Sequence, residues 1–117
     1  MISELKNFDN IAYNTDILLY TVDAEVVGKE IFLKELFIYE NSGQNAMGAS
    51  TTGYAVWIRD MNNQDFYLTS SCNNLLYGAF DKLIDCPLPI TVGDKIYIKK
   101  VINSGNISVS LNITREE

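Results

Sequence analysis

The sequence predicts an all-β fold, an antiparallel β-sandwich of the jelly-roll kind with at most one short helix near residues 75–84. Apolar and polar residues alternate strictly from Ile107 to Thr114, which is typical of a strand with one face in the core and one in water. A strand wetted on one side indicates antiparallel pairing, because parallel sheets are usually covered on both faces. The other apolar runs are short and are separated by turn residues, as in sandwiches and jelly rolls.

The first part of the chain is predicted to contain an arm and two strands. Residues 1–14 show no strong period and are expected to form an N-terminal arm. Residues 15–117 contain no repeat and no linker of biased composition, so they are expected to form a single sandwich domain. Within that domain, the short apolar run Ile17 to Asp23 and the longer run Glu30 to Glu40 are predicted strands.

The middle of the chain contains a predicted hairpin and one ambiguous segment. Gly53 to Thr69 is interpreted as a hairpin, with its tight turn at Asn62 and Asn63. The apolar residues from Leu75 to Ile84 fit the spacing of a short helix, although a central Gly78 costs such a helix roughly 1 kcal/mol. A strand with a bulge at Gly78 fits the same residues, so both alternatives stand.

Two further strands are predicted at the end of the chain. Pro87 and Pro89 lie before these two strands and separate them from the preceding segment. Lys95 to Ile102 is the first of the two strands, a turn follows at residues 104–106, and Ile107 to Thr114 is the second. Its Ile, Val and Leu side chains are expected to face the core.

Charge and composition exclude several classes of function. The 117 residues include 9 Lys plus Arg against 15 Asp plus Glu, which gives a net charge of −6. Nucleic acids and anionic membrane surfaces attract basic proteins, so neither is expected as a partner. The chain contains no His, which is the commonest general base and a frequent metal ligand. Ser-His-Asp and Cys-His catalytic arrangements are therefore excluded within one chain.

The cysteines and carboxylates leave alternatives open. Cys72 and Cys86 lie fourteen positions apart, and that spacing permits a disulfide without showing one. Two small buried thiols are the favoured alternative. Asp60, Asn62 and Asp65 offer oxygen ligands for calcium near the predicted turn, but the EF-hand pattern is absent. Asp is common in turns because its side chain bonds nearby backbone, so a turn role is favoured and no metal site is predicted.

The second predicted strand is apolar on both faces. Strict alternation places Ile31, Leu33, Phe37 and Tyr39 on one face and Phe32, Leu36 and Ile38 on the other. A small sandwich has one core, so one of these faces needs another cover, and exposed apolar patches are typical of interaction sites. We therefore expect a homo-oligomer, with a trimer among the states considered, and assign the first face to partner binding. The alternative is that the arm or a loop covers this face within one chain.

A loop and a tryptophan complete the predicted partner-binding residues. The segment Ser42 to Gly53 contains three glycines, no proline and no charge. Loops of this length are uncommon unless they are functional or disordered. Gln44, Asn45 and Met47 are predicted contacts on the functional interpretation, and the alternative is a mobile loop that only joins two strands. Trp57 is added as a further contact, although most of the thirteen aromatic residues are expected to pack in the core.

Several short motifs follow one another between residues 17 and 114. Leu19-Tyr20-Thr21-Val22 is followed after a gap by Ile31 to Glu40, and later Val92-Gly93-Asp94-Lys95-Ile96 leads into the two final strands. In this order they resemble a loose class of small β-sandwich proteins found in tailed-phage virions. Asp23-Ala24 stands where that class usually has Pro-Ala. The resemblance implies a structural role in the virion, as capsid decoration, head-fibre base or tail accessory, without catalysis or a cofactor.

Two hypotheses for function follow. The first is a non-enzymatic virion structural protein that binds capsid or tail subunits and associates with itself. The second is a carbohydrate-binding module that uses Trp57 and neighbouring tyrosines as a platform. A small hydrolase based on carboxylates is a weaker third hypothesis, because the sequence contains no His and no recognisable nucleophile motif.

Overall fold

The computed structural model describes residues 2–24, 28–42 and 50–117, which form ten β-strands and no α-helix. The strands are β1 (Ile2–Phe8), β2 (Ile17–Thr21), β3 (Ile31–Glu40), β4 (Thr51–Arg59), β5 (Asp65–Tyr67), β6 (Asn73–Leu76), β7 (Phe80–Lys82), β8 (Leu88–Ile90), β9 (Lys95–Lys100) and β10 (Ile107–Arg115). In this part of the chain, no helix is long and apolar enough to cross a bilayer.

The strand order is that of a jelly roll. Sheet 1 has the order β1-β10-β3, with β7 and β8 both pairing with β3 at its far edge. Sheet 2 has the order β2-β9-β4, with β5 and β6 both pairing with β4. The nested antiparallel pairs β1–β10, β2–β9, β3 with β7 and β8, and β4 with β5 and β6 are those of a long hairpin rolled into two sheets. The predicted all-β antiparallel sandwich is confirmed.

The hydrophobic core lies between the two sheets. The inward-facing side chains of β10 are each no more than 1% exposed, as the alternation predicts: Ile107, Val109, Leu111 and Ile113. Sheet 2 contributes side chains that are fully buried as well: Tyr54, Val56, Ile96 and Ile98. Burial of each aliphatic side chain of this size stabilises the fold by about 1.5–3 kcal/mol.

The N-terminal residues differ from the expectation of an arm. Residues Ile2 to Phe8 form β1, which pairs with β10 along its whole length. Phe8 packs against the core, Ile11 is buried, and the Ile11 backbone N–H donates to the carbonyl of Ile107 at 2.9 Å. Residues Ile2 to Phe8 therefore belong to sheet 1, where they pair with the backbone groups of β10. Tyr13 instead forms an isolated bridge with Lys100 of sheet 2.

The hairpin is confirmed, whereas the ambiguous segment is neither a helix nor a single bulged strand. Strand β4 pairs with β5 across a turn in which Asn63 has a φ of 61°. Between residues 75 and 84, β6 ends at Leu76, a turn contains Gly78 with a φ of 79°, and β7 begins at Phe80. Strand β6 pairs with β4 and β7 pairs with β3, so this segment crosses from sheet 2 to sheet 1.

The two cysteines are unpaired. Cys72 precedes β6 of sheet 2 and is half-buried, whereas Cys86 precedes β8 of sheet 1 and is exposed. The expectation of two buried thiols is therefore wrong for Cys86, which lies in the connection between two short edge strands.

Candidate functional site

A β-bulge in β3 determines which of its apolar side chains face the core. Leu33 pairs with Ile113, and Glu35, two residues later, pairs with Asn112, the immediate neighbour of Ile113. Lys34 is therefore an extra residue without a direct partner on β10. The alternation of β3 shifts by one residue at this point, so side chains after the bulge point to the opposite face from the one that strict alternation predicts.

The bulge divides the four residues that were predicted to share one partner-binding face. Ile31 and Leu33 precede it and are core residues, 3% and 0% exposed. Phe37 and Tyr39 follow it and lie on the outer face of sheet 1, where Phe37 is half-buried and Tyr39 is 38% exposed. The assignment of Ile31 and Leu33 to partner binding is therefore corrected, because a bulge cannot be detected by periodicity in a strand that is apolar on both faces.

Three aromatic rings form a patch on the outer face of sheet 1. Strand β7 places Phe80 opposite Tyr39, and the ring centroids of Phe37, Tyr39 and Phe80 lie 6.1–6.3 Å apart. Phe80 is 60% exposed. Lys82 Nζ lies 6.0 Å from the centre of the Phe37 ring, at the limit of a cation–π contact. We call Phe37, Tyr39 and Phe80 the aromatic patch.

Polar side chains of β10 border the aromatic patch. Ser108 is opposite Tyr39 and Ser110 is opposite Phe37 on the neighbouring strand. A shallow depression of about 60 Å³ lies beside the patch, lined by Leu5, Glu35, Phe37, Ser110 and Asn112. Leu5 is 67% exposed. An apolar centre with a polar border is the arrangement found in protein–protein interfaces.

Phe80 was not identified as a contact residue from the sequence. The sequence places it in the segment that fits a short helix, where its side chain would face the core. Its actual position depends on the pairing of β7 with β3, whose facing residues are about forty positions apart in the chain. No local pattern carries that information.

Trp57 lies on the other outer face of the sandwich, in sheet 2. It is 3% exposed, because Tyr67 and Tyr97 from the flanking strands stack on its two sides with centroid distances of 5.5 and 5.6 Å. The Arg59 guanidinium lies over the Tyr97 ring at 4.9 Å. A sugar platform requires an open ring face, so Trp57 does not form one, and it is also not part of the aromatic patch.

The predicted contact loop is only partly described. Gln44, Asn45 and Met47 lie outside the described residues. Thr51 to Gly53, the end of the predicted loop, form the first residues of β4 instead.

The acidic side chains around the β4–β5 turn have structural partners. The carboxylate oxygen Oδ1 of Asp60 accepts the backbone N–H groups of Asn62 and Gln64, both at 2.9 Å. Arg59 Nε donates to Asp65 Oδ1 at 2.7 Å, and this guanidinium holds the pKa of Asp65 below its usual range. Across the described ranges, no three acidic or cysteine side chains lie close enough together to hold a metal ion.

Glu40 is a buried carboxylate at the end of β3, and no sequence pattern pointed to it. It is 3% exposed. One oxygen accepts the backbone N–H groups of Ser42 at 2.8 Å and Gly78 at 3.2 Å, and the other accepts the Ser42 hydroxyl at 2.7 Å and the Asn106 backbone N–H at 2.6 Å. Glu40 thereby joins three connecting segments, and its full set of partners indicates a structural role.

Comparisons with known proteins give a distant structural likeness. No model of a known protein family matches the chain, and no curated protein matches its sequence. Among solved structures, a chain of infectious bursal disease virus, Gx strain, is similar with a TM-score of 0.41 and 11% sequence identity. The similarity covers 99% of this chain and 35% of that one, so this chain spans about a third of its length. A likeness at this level carries no inference about function.

Proposed function

We propose that the chain is a non-enzymatic structural protein of a virion, of the kind that decorates a capsid, forms a head-fibre base or accompanies a tail in tailed phages. In this role it binds capsid or tail subunits and associates with itself. The observation that carries the proposal is the exposed aromatic patch on the outer face of sheet 1.

The chemistry of the aromatic patch suits a protein partner. Exposed Tyr39 and Phe80 lie together with half-buried Phe37 on a regular sheet, so the three rings are presented on a rigid surface. Aromatic side chains dominate the centres of protein interfaces, and each buries about 150–250 Å² when it is covered. Contiguous apolar groups of this kind on a protein surface mark interaction sites more often than scattered single residues do.

The fold and the sequence support the same proposal. The jelly roll occurs in viral capsid proteins, and also in lectin domains and cupins, so the fold is compatible with several functions. The ordered motifs between residues 17 and 114 resemble those of virion sandwich proteins. The carboxylates of Glu40, Asp60 and Asp65 are held in structural hydrogen bonds, which disfavours the hydrolase hypothesis.

The double variant Tyr39→Asp/Phe80→Asp tests the proposal. Two carboxylates at the centre of an interface are costly to desolvate, so we expect the amount of chain in purified particles to fall at least about tenfold. Quantitative mass spectrometry of gradient-purified particles measures this, in cells where the variant replaces the wild-type chain.

The control is Met61→Asp, which puts one carboxylate at a side chain that is 71% exposed in the β4–β5 turn. We expect this variant to be incorporated like the wild type. Circular dichroism of all three proteins verifies that they fold. Absence of the wild-type chain from purified particles contradicts a virion role, and normal incorporation of the double variant contradicts docking through the aromatic patch.

A further inference from the structure

Strand β1 leaves one edge of sheet 1 open. It pairs with β10 on one side, and within the described residues no strand pairs with its other side. With seven residues it is the longest edge strand described, since β2 has five and the strands at the other edges have three or four. Strand β1 contains neither proline nor glycine, whereas β8 contains Pro89, which has no backbone N–H to donate. An edge of this kind is a template for pairing with another strand.

The side chains of β1 are charged on one face and apolar at the centre of the other. Glu4 and Lys6 line an opening of about 340 Å³ between β1 and β2. Within the chain, Glu4 Oε1 forms an ion pair with Arg115 Nη2 at 3.8 Å, which is longer than a hydrogen bond, and Lys6 Nζ lies 5.8 Å from the centre of the Tyr20 ring. Leu5, between them, points to the outer face and is 67% exposed.

We infer that two copies of the chain pair antiparallel through β1 about a two-fold axis at Leu5. Sheet 1 of one copy and sheet 1 of the other then form one continuous sheet. The inference rests on the self-association in the proposed function and identifies its surface. In this register Glu4 lies opposite the partner's Lys6, Lys6 lies opposite the partner's Glu4, and Leu5 lies opposite the partner's Leu5. A two-fold axis repeats each contact, so both charge pairs form together.

Charge also selects this register against its neighbours. Inward-pointing charges on an edge strand ordinarily oppose pairing with other chains. A two-fold axis at Glu4 or at Lys6 would place two like charges directly opposite each other, which destabilises a strand pair. Only the register centred on Leu5 makes both charges complementary, so the same residues exclude other pairings and favour this one.

The pairing has a consequence for the aromatic patch. A two-fold axis between antiparallel strands of one sheet is perpendicular to that sheet, so the outer faces of both copies point the same way. The dimer then presents two aromatic patches to one partner surface. Bivalent contact of this kind strengthens attachment without any new contact residue.

Two charge-reversal variants, tested separately and as a mixture, provide the first test. Glu4→Lys places like charges opposite each other in a pair of identical copies, and so does Lys6→Glu. We expect each variant alone to self-associate at least about tenfold more weakly than the wild type. An equimolar mixture of the two variants is expected to recover the association, because each strand then faces its complement. Sedimentation velocity measures the association, and Lys29→Glu, an exposed change outside β1, is the matched control.

A cross-link provides the second test, in a background carrying Cys72→Ser and Cys86→Ser. Facing Cα atoms in antiparallel strands lie about 4.5–5.5 Å apart, within disulfide range. Leu5→Cys should therefore form a covalent dimer under mild oxidation. Ser3→Cys is the control, because in this register the two copies of residue 3 lie roughly 13 Å apart along the strands.

The outcomes separate this inference from the proposed function. Recovery in the mixture together with cross-linking by Leu5→Cys alone supports β1 pairing. An oligomer that is insensitive to both charge variants and is not cross-linked through Leu5→Cys overturns it and leaves self-association standing. A wild-type chain that stays monomeric at its highest soluble concentration overturns both β1 pairing and self-association, whereas attachment to a virion is decided by the incorporation experiment.

Discussion

The carboxylate of Glu40 couples the stability of the fold to pH. Burial raises the pKa of Glu40, but the hydrogen bonds from Ser42 and from the backbone N–H groups of Asn106 and Gly78 outweigh it, so the pKa lies below the ordinary value of 4.5. The unfolded chain therefore binds this proton more readily than the folded chain does. The contribution of Glu40 to stability is fully present above about pH 4.5 and is lost as the pH falls through the lower pKa of the folded state.

Replacement of Glu40 by Gln removes this charge while keeping the size of the side chain. At neutral pH we expect Glu40→Gln to lower the free energy of unfolding by about 1.5–3 kcal/mol, because bonds to a charged acceptor are replaced by weaker ones and an amide donor faces N–H groups. The difference from the wild type should shrink as the pH falls below 4.5. Urea unfolding across this pH range measures it.

Glu35→Gln is the matched control for Glu40→Gln. Glu35 lies on the same strand but on its outer face and is only half-buried, so we expect a change within about 0.5 kcal/mol. If Glu40→Gln lowers the free energy of unfolding by the same amount at every pH, the role assigned to this carboxylate is contradicted.

At the scale of strands, the inward face of β10 was predictable from the sequence, whereas the inward face of β3 was not. Strand β10 has apolar residues on one face only, so its periodicity revealed both the strand and its inward face. Strand β3 is apolar on both faces, so its periodicity could not reveal the bulge at Lys34, which depends on the pairing with Asn112 and Ile113. Phe37 and Tyr39 were predicted contacts and lie in the aromatic patch.

The positions of Phe80 and Trp57 were not predicted, for the same physical reason. Phe80 reaches the aromatic patch through the pairing of β7 with β3, and Trp57 is covered by rings from β5 and β9. Both positions depend on strands that are distant in sequence. Local spacing reports the face of a strand but not the neighbour that covers it.

Deletion of Lys34 tests the role of the bulge. Without this residue Leu33 would be followed directly by Glu35, and the alternation of β3 would become regular with the same side chains facing inwards. We expect the deletion variant to fold and to change the free energy of unfolding by no more than about 2 kcal/mol. Thermal unfolding followed by circular dichroism measures this.

The control for the Lys34 deletion is insertion of one Ala between Leu36 and Phe37. This change in length would turn Phe37 and Tyr39 towards the core and Ile38 away from it, so cooperative unfolding should be lost. Equal damage by the deletion and the insertion would show that the bulge does not set the faces of β3.

At the scale of the whole molecule, the two sheets share one core and are linked by a polar bridge. Buried side chains from both sheets form a single cluster. The Tyr54 hydroxyl of sheet 2 donates to Asp81 Oδ2 of sheet 1 at 2.5 Å, and burial together with this carboxylate raises the pKa of Tyr54 above its usual range. Neither sheet can bury its apolar face without the other, so both should unfold in one transition.

Trp57 offers a probe of this coupling, because it is the single tryptophan of the chain and lies in sheet 2. Leu111, fully buried on β10, lies in sheet 1. We expect Leu111→Ala to lower the free energy of unfolding by about 2–5 kcal/mol, because it leaves a cavity in the shared core. Trp57 fluorescence and far-ultraviolet circular dichroism should report the same reduced urea midpoint. Ser110→Ala, the neighbouring change on the outer face, should leave that midpoint nearly unchanged. If the urea midpoint of the Trp57 fluorescence transition does not change in Leu111→Ala, the two sheets unfold independently.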